Sequence, residues 1–86
     1  MPEISRFFGI VIRMYWNDHD PPHFHARYGE FEALMDIETL DVFRGELPRR
    51  AMSLVIEWAV IHREELRADW RLARHQRPLV PIDPLQ

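Results

Sequence analysis

The chain contains neither cysteine nor lysine among its 86 residues, and no hydrophobic run in it is long enough to span a bilayer. Without cysteine the protein can form no disulfide, no thiolate metal site and no cysteine nucleophile, and the absence favours a cytoplasmic location. The first residues, Met1 to Arg6, include an acid and lead into alternating apolar residues, which indicates a strand and not a signal peptide. Neither a membrane span nor a secretory leader is expected.

Charge and length narrow the classes of function. All eleven basic residues are arginine, and the formal net charge is -3. A negative net charge argues against a protein that binds nucleic acid through bulk charge alone. Clustered arginines can still build a local anion site, because the guanidinium presents a planar fork suited to carboxylate or phosphate. At this length we expect one domain, 1–86, close to the size at which a single core is marginal.

The hydrophobic pattern changes once along the chain, from strand-like to helix-like near Pro48. Alternating apolar residues bounded by turn residues predict an antiparallel sheet of three to four strands. These predicted strands lie at about 7–16, 23–28, 31–38 and 42–44. Apolar residues at three- and four-residue spacing then predict one or two C-terminal helices, at about 48–61 and 63–75, with a bend near Ile61. Helices packed on one face of the sheet give an α+β fold.

Three tryptophans and a proline-rich tail are predicted to contribute to the core. Trp58 and Trp70 lie at helical spacing, and Trp16 ends the first predicted strand, so all three are expected to be buried. The prolines after the last helix favour an extended tail. We expect the tail to dock through its apolar residues, Leu79, Val80, Ile82 and Leu85.

The second and third predicted strands form a hairpin that turns at Gly29, and two registers are open to it. A loop of Gly29 and Glu30 places Asp36 opposite His23, whereas a loop of Tyr28 and Gly29 places Glu32 opposite His25. Because side chains alternate along a strand, both registers put the same polar residues on one face. This histidine face comprises His23, His25, Arg27, Glu32 and Asp36, with Arg13 adjoining it.

The histidine face predicts a site for acid–base chemistry. An unperturbed imidazole titrates near neutral pH, so His23 or His25 can carry a proton to or from a substrate. Glu32 or Asp36 would orient the imidazole. The guanidinium groups of the face, Arg27 and Arg13, would stabilise the charge that develops on a phosphoryl group. An ordinary solvated sheet face has the same composition, and that interpretation also remains open.

A divalent metal site is the second chemical interpretation of this region. Neutral imidazole and carboxylate suit zinc, nickel, manganese or iron. The predicted ligands are His19, His23 and His25, with Asp18, Asp20 or Asp36 supplying the carboxylate. The spacing of these residues matches no strong zinc signature. Loop carboxylates also commonly cap turns, which gives the same residues a purely structural role.

Two adjacent arginines, Arg49 and Arg50, stand at the start of the first predicted helix. Cations are disfavoured at a helix N-terminus because the helix dipole is positive there. This placement suggests that the pair binds an external anion or a partner protein.

Four segments of the chain resemble the small bacterial family DUF4160. They are Ile4-Ser5-Arg6-Phe7-Phe8-Gly9-Ile10, Asn17-Asp18-His19-Asp20-Pro21-Pro22-His23-Phe24-His25, Leu47-Pro48-Arg49-Arg50-Ala51 and His62-Arg63-Glu64-Glu65-Leu66. The resemblance covers nearly the whole chain and implies pairing with a DUF2442-type partner protein in an arrangement similar to a type II toxin and antitoxin cassette. The chain departs from the family pattern at Leu40, where family members tend to have glycine.

Two hypotheses follow. In the first, which we favour, the protein is a toxin-like component that acts on RNA or on translation through the histidine face, and its expression arrests growth. In the second, it is a non-catalytic binding module whose histidine loop holds a metal or docks a partner, and histidine substitutions leave growth unaffected. An exposed fourth strand also permits a homodimer through edge pairing.

Overall fold

The computed structural model describes residues 2–86 and contains a five-stranded antiparallel sheet and two C-terminal helices. The elements are β1 (Glu3–Phe7), β2 (Ile10–Arg13), β3 (His23–Tyr28), β4 (Phe31–Asp36), β5 (Val42–Gly45), α1 (Arg49–Ile61) and α2 (Arg63–Arg74). Strands follow one another in the sheet in chain order. The α+β prediction is confirmed, although the sheet has five strands instead of three to four. No helix within residues 2–86 is both long and apolar enough to cross a membrane.

The predicted first strand, 7–16, is wrong because it contains a hairpin turn. Phe8 and Gly9 have φ angles of 49° and 80°, and Phe7 pairs directly with Ile10. Two consecutive positive φ angles are typical of the tightest hairpin loops. The turn could not be predicted from the sequence because the first residue of the turn, Phe8, continues the apolar alternation of the strand. Phe8 is 59% exposed, as expected for a turn residue and not for a core strand.

The β3–β4 hairpin adopts the first of the two predicted registers. His23 pairs with Asp36, Arg27 pairs with Glu32, and Tyr28 pairs with Phe31 across the two-residue loop. The opposite face of these strands is fully buried at Phe24, Ala26, Ala33 and Met35. The hairpin therefore separates a core face from the histidine face.

The helices cover the core face of the sheet, and the bend between them falls where it was predicted. His62, between α1 and α2, leaves helical geometry at φ -111° and ψ 24°. Trp58 is fully buried and Trp70 is 5% exposed, which confirms both as core residues. The prediction for Trp16 is wrong, since it is 49% exposed and its indole N–H donates to the Arg77 carbonyl.

The tail after α2 runs beside β1 and covers the edge of the sheet. The backbone N–H of Ile82 donates to the Ile4 carbonyl at 2.7 Å, and the Trp58 indole N–H donates to the Asp83 carbonyl at 2.8 Å. Ile82 is buried, as predicted, whereas Val80 is 59% exposed. Val80 contributes its backbone instead, because its N–H donates to Oδ1 of the buried Asp69 at 2.9 Å.

Gly45 permits the close approach of β5 to β4, and we predict that Gly45→Ala strongly destabilises the fold. A Cβ at this position would overlap the Glu32 carbonyl oxygen, and the backbone has a φ of +78°. Gly29→Ala is a matched control, since Gly29 has a φ of +60° but no atom within 4 Å of the added Cβ. Denaturant unfolding should show a loss of about 1 kcal/mol for Gly29→Ala and about 3 kcal/mol or more for Gly45→Ala. Equal losses would contradict the close approach.

Asp69 gives the fold a pH dependence that Asp69→Asn should remove. Burial raises the pKa of the Asp69 carboxyl above its ordinary value of 3.8, while the Val80 N–H opposes the shift and Glu65 adds to it. A raised folded-state pKa means that the native protein holds the proton more tightly, so stability falls as the pH rises from about 3.8 through the raised value. The asparagine oxygen can still accept the Val80 N–H without a charge. We therefore expect a stability gain for Asp69→Asn that is larger at pH 7 than at pH 4.

Thermal unfolding across this pH range measures the effect of Asp69. Asp83→Asn, an exposed change in the same tail, serves as the control. Its melting temperature should differ from that of the parent by the same amount at pH 4 and at pH 7. A lower melting temperature for Asp69→Asn than for the parent at pH 7 would show that the buried carboxylate is favourable, against this account.

Candidate functional site

One loop and one strand bring an aspartate and two histidines together. Asp18 lies in the loop between β2 and β3, His23 begins β3, and His25 follows two residues later on the same side of the strand. One ligand atom from each side chain lies within 4.8 Å of the others. We call these three residues the His–Asp cluster.

A single carboxylate oxygen stands between the two imidazoles. Oδ2 of Asp18 lies 3.0 Å from Nε2 of His23 and 3.1 Å from Nε2 of His25. The other oxygen, Oδ1, accepts the backbone N–H of His19 at 3.2 Å. Two ring nitrogens therefore converge on one oxygen atom of a carboxylate whose orientation is fixed by the loop backbone.

The His23 ring is held in one orientation by a backbone carbonyl. Its Nδ1 lies 2.7 Å from the Pro21 oxygen, and because a carbonyl oxygen only accepts, Nδ1 must carry a proton. In the neutral ring Nε2 then carries a lone pair instead of a proton. This Nε2 is buried and has no hydrogen-bond partner among residues 2–86, although it lies close to Asp18. A lone pair thus faces a carboxylate oxygen.

His25 lies between two carboxylates. Its Nε2 contacts Asp18. Its Nδ1 lies 3.4 Å from Oε2 of Glu32 and makes no hydrogen bond with any described residue. Of the two carboxylates predicted to orient an imidazole, Glu32 therefore lies beside His25. Arg27, in contrast, directs its Nε to the Gly29 carbonyl at the hairpin turn, 3.2 Å away.

Aromatic rings enclose His23 and leave His25 more open. The rings of Phe43 and Trp70 have centroids 5.2 and 5.3 Å from that of His23, which is 3% exposed. Tyr15 packs edge-on against His25 at 4.5 Å. The sequence did not point to Phe43 or Trp70 as neighbours of the site, because both come from elements far from the histidines in the chain.

The electrostatics of the cluster favour an ionised Asp18. Partial burial by itself raises the pKa of the Asp18 carboxyl, but the hydrogen bond with His25, the His19 N–H and the positive charge that His23 and His25 carry when protonated together hold the pKa below its ordinary value. The cluster therefore offers a charged oxygen ligand at neutral pH.

Other predicted residues lie outside the His–Asp cluster. Oδ1 of Asp36 accepts the backbone N–H groups of Glu38 and Thr39, so it caps a turn. Asp20 pairs with Arg74 at 3.2 Å. His19 contributes its backbone N–H to the loop and its ring is not part of the cluster.

The other three predicted arginines lie in two parts of the structure. Arg13 is the cross-strand partner of His25 in the β2–β3 pair, and so adjoins the histidine face. Arg49 and Arg50 begin α1, where Arg50 borders a cavity of about 290 Å³ together with Phe8 and Tyr28. The helix-start pair and the His–Asp cluster are thus separate features.

The His–Asp cluster could hold a metal ion. Two imidazole nitrogens and one carboxylate oxygen are common ligands of zinc and other first-row divalent ions. Ligand atoms bound at about 2.1 Å in tetrahedral or octahedral geometry lie about 3.0–3.4 Å apart. The two nitrogen–oxygen distances in the cluster, 3.0 and 3.1 Å, match this spacing.

Comparison with known proteins places the chain in a family without giving it an activity. No curated protein and no solved structure matches the chain. One family model, described as a domain of unknown function, matches residues 9–71, which include the His–Asp cluster, the whole β2–β5 sheet segment and most of both helices. The chain therefore belongs to the DUF4160 family.

Proposed function

We propose that this protein binds a divalent transition-metal ion through Asp18, His23 and His25. The main observation behind this proposal is that His23 Nε2 lies 3.0 Å from Asp18 Oδ2. His23 Nδ1 already donates its proton to the Pro21 carbonyl, so Nε2 has no proton to donate to Asp18. Two acceptor atoms this close require a cation or a proton between them. A metal ion satisfies both atoms.

The second histidine favours a metal over a proton. If hydrogen bonds alone held the cluster together, Oδ2 of Asp18 would have to accept an N–H from both His23 and His25. His23 would then carry protons on both ring nitrogens and would be a buried cation. Burying a charged imidazole is costly, whereas a metal binds neutral imidazoles. One ion would satisfy both Nε2 atoms and the carboxylate together.

The surroundings of the cluster also suit a metal site. Ligand histidines usually donate their second ring N–H to a carbonyl or carboxylate, which fixes the tautomer and strengthens the ligand. Pro21 supplies the carbonyl for His23, and Glu32 lies on the Nδ1 side of His25. Three protein ligands leave at least one coordination position for water or a substrate, as in catalytic sites. Nitrogen ligands favour zinc, iron, manganese or nickel over calcium and magnesium.

Titration of the chelator-treated protein with zinc or cobalt tests this proposal. We expect one ion per chain, with His23→Ala and Asp18→Ala each weakening binding by more than about a hundredfold, because an outer-shell loss alone costs about tenfold to a hundredfold. His75→Ala removes an exposed histidine after α2 and is the matched control, with unchanged binding expected. Affinity should fall as the pH is lowered, since protons compete for the imidazoles.

Calorimetry gives the stoichiometry and affinity, and circular dichroism confirms that each variant is folded. Binding that is equally weak in the parent and in folded His23→Ala, or that is lost only in His75→Ala, would refute the metal site.

The toxin-like role stays a prediction, and it is compatible with a metal site. Its support here is the placement of Glu32 beside Nδ1 of His25, which supplies the paired base and carboxylate that general acid–base chemistry needs. Action on RNA or translation and pairing with a DUF2442-type protein rest on the family resemblance. Growth arrest on expression, relieved by a folded His25→Ala variant, distinguishes this role from that of a non-catalytic metal module.

A further inference from the structure

The geometry points to an oxyanion-binding position beside the His–Asp cluster, in which Arg13 and the metal ion together hold one phosphate or carboxylate group. This inference rests on the proposed metal site and names the class of ligand that would occupy its open coordination position.

Access to the metal position comes from the side of Asp18 and His25. The side chains of Asp18 and His25 are 25% and 14% exposed, whereas that of His23 is 4% exposed and lies between aromatic rings. Trp70 of α2 packs beside His23, with 5.3 Å between the ring centroids, so this helix closes the His23 side of the cluster, and the more exposed side chains of Asp18 and His25 mark its open side. A ligand that reaches the ion must therefore pass over the histidine face.

Arg13 stands on that approach. It is directly opposite His25 across the β2–β3 pair, and side chains of directly opposed residues share one face at about 5 Å between their Cβ atoms. Ile10 and Ile12 of the same strand are fully buried while Val11 and Arg13 are half-buried, which agrees with Arg13 lying on the histidine face.

The Nε atom of the Arg13 guanidinium lacks an acceptor within residues 2–86. This atom is buried and has no hydrogen-bond partner, and no carboxylate lies within 4.0 Å of it among these residues. Glu3, the partner of Arg13 across β1 and β2, is already bound by Arg6 through two hydrogen bonds of 2.8 and 3.0 Å. Arginine donors that are buried without an acceptor are unfavourable, so an external acceptor is expected.

An oxyanion supplies what both groups lack. A phosphate or carboxylate can place one oxygen on the metal and present another to the planar guanidinium fork of Arg13. Arg44 lies in the same cross-strand row, opposite Leu34, and is exposed, so it adds positive charge to this face. The ion, Arg13 and Arg44 would together offset the carboxylates of Asp18 and Glu32 and attract an anion, although the whole chain carries a net charge of -3.

Cobalt provides a spectroscopic test that does not depend on activity. The cobalt-loaded full chain is titrated with inorganic phosphate and, separately, with acetate, while the cobalt absorption bands are recorded. We expect saturable spectral changes with at least one anion, and an apparent dissociation constant about tenfold higher in Arg13→Gln, the loss expected for one charge-assisted contact. Cobalt affinity itself should be unchanged in Arg13→Gln. Comparison of the two anions shows which group the site prefers.

The controls separate failure of the oxyanion position from failure of the metal site. Arg71→Gln removes an equal charge from the exposed surface of α2 and should leave anion binding as in the parent. If the parent binds no cobalt, both the metal site and this inference fail. If cobalt binds but neither anion changes its spectrum, or if Arg13→Gln responds as the parent does, only the oxyanion position is overturned.

Discussion

The hydrogen bond between the His23 ring and the Pro21 carbonyl determines the chemistry of the whole cluster. At 2.7 Å it fixes the proton on Nδ1 and turns Nε2 towards Asp18 and His25. The Nε2 atom is buried and makes no hydrogen bond within residues 2–86. Without this one constraint the ring could flip or change tautomer, and the three side chains would form an ordinary hydrogen-bonded network. With it, they form a preorganised set of atoms that could hold a metal ion.

The position of Asp18 depends on contacts with the distant end of the chain. The loop that carries it is held at three points by residues that end or follow α2. Asp20 pairs with Arg74, the Asn17 amide oxygen accepts from Gln76, and the Trp16 indole donates to the Arg77 carbonyl. These contacts join residues 54 to 61 positions apart in the sequence. The helical half thus serves the site as well as the core, because it orients the loop that supplies the carboxylate.

Most of the fold and both histidines of the His–Asp cluster could be predicted from the sequence, but its aspartate could not be singled out. Helical spacing located both helices and the bend at His62, and strand alternation placed both histidines on one face with Glu32. The β1–β2 turn was missed because Phe8 carries no turn signal, although it adopts a positive φ angle. The choice of Asp18 from among the nearby carboxylates could not be made from spacing, since it depends on a loop held by the distant helix end. Leu40 also carries no turn signal, yet it has a φ of 62°, a left-handed conformation that favours glycine.

Histidine ring NMR shows whether His23 presents a bare Nε2 to a metal. Long-range proton–nitrogen correlation spectra of the ¹⁵N-labelled protein, recorded near pH 8 before and after addition of zinc, report which ring nitrogen carries the proton. We expect a protonated Nδ1 in His23 throughout, with the Nε2 signals of His23 and His25 both shifted by zinc. A proton on Nε2 of His23, or Nε2 signals that zinc leaves unchanged, would contradict the proposed metal site.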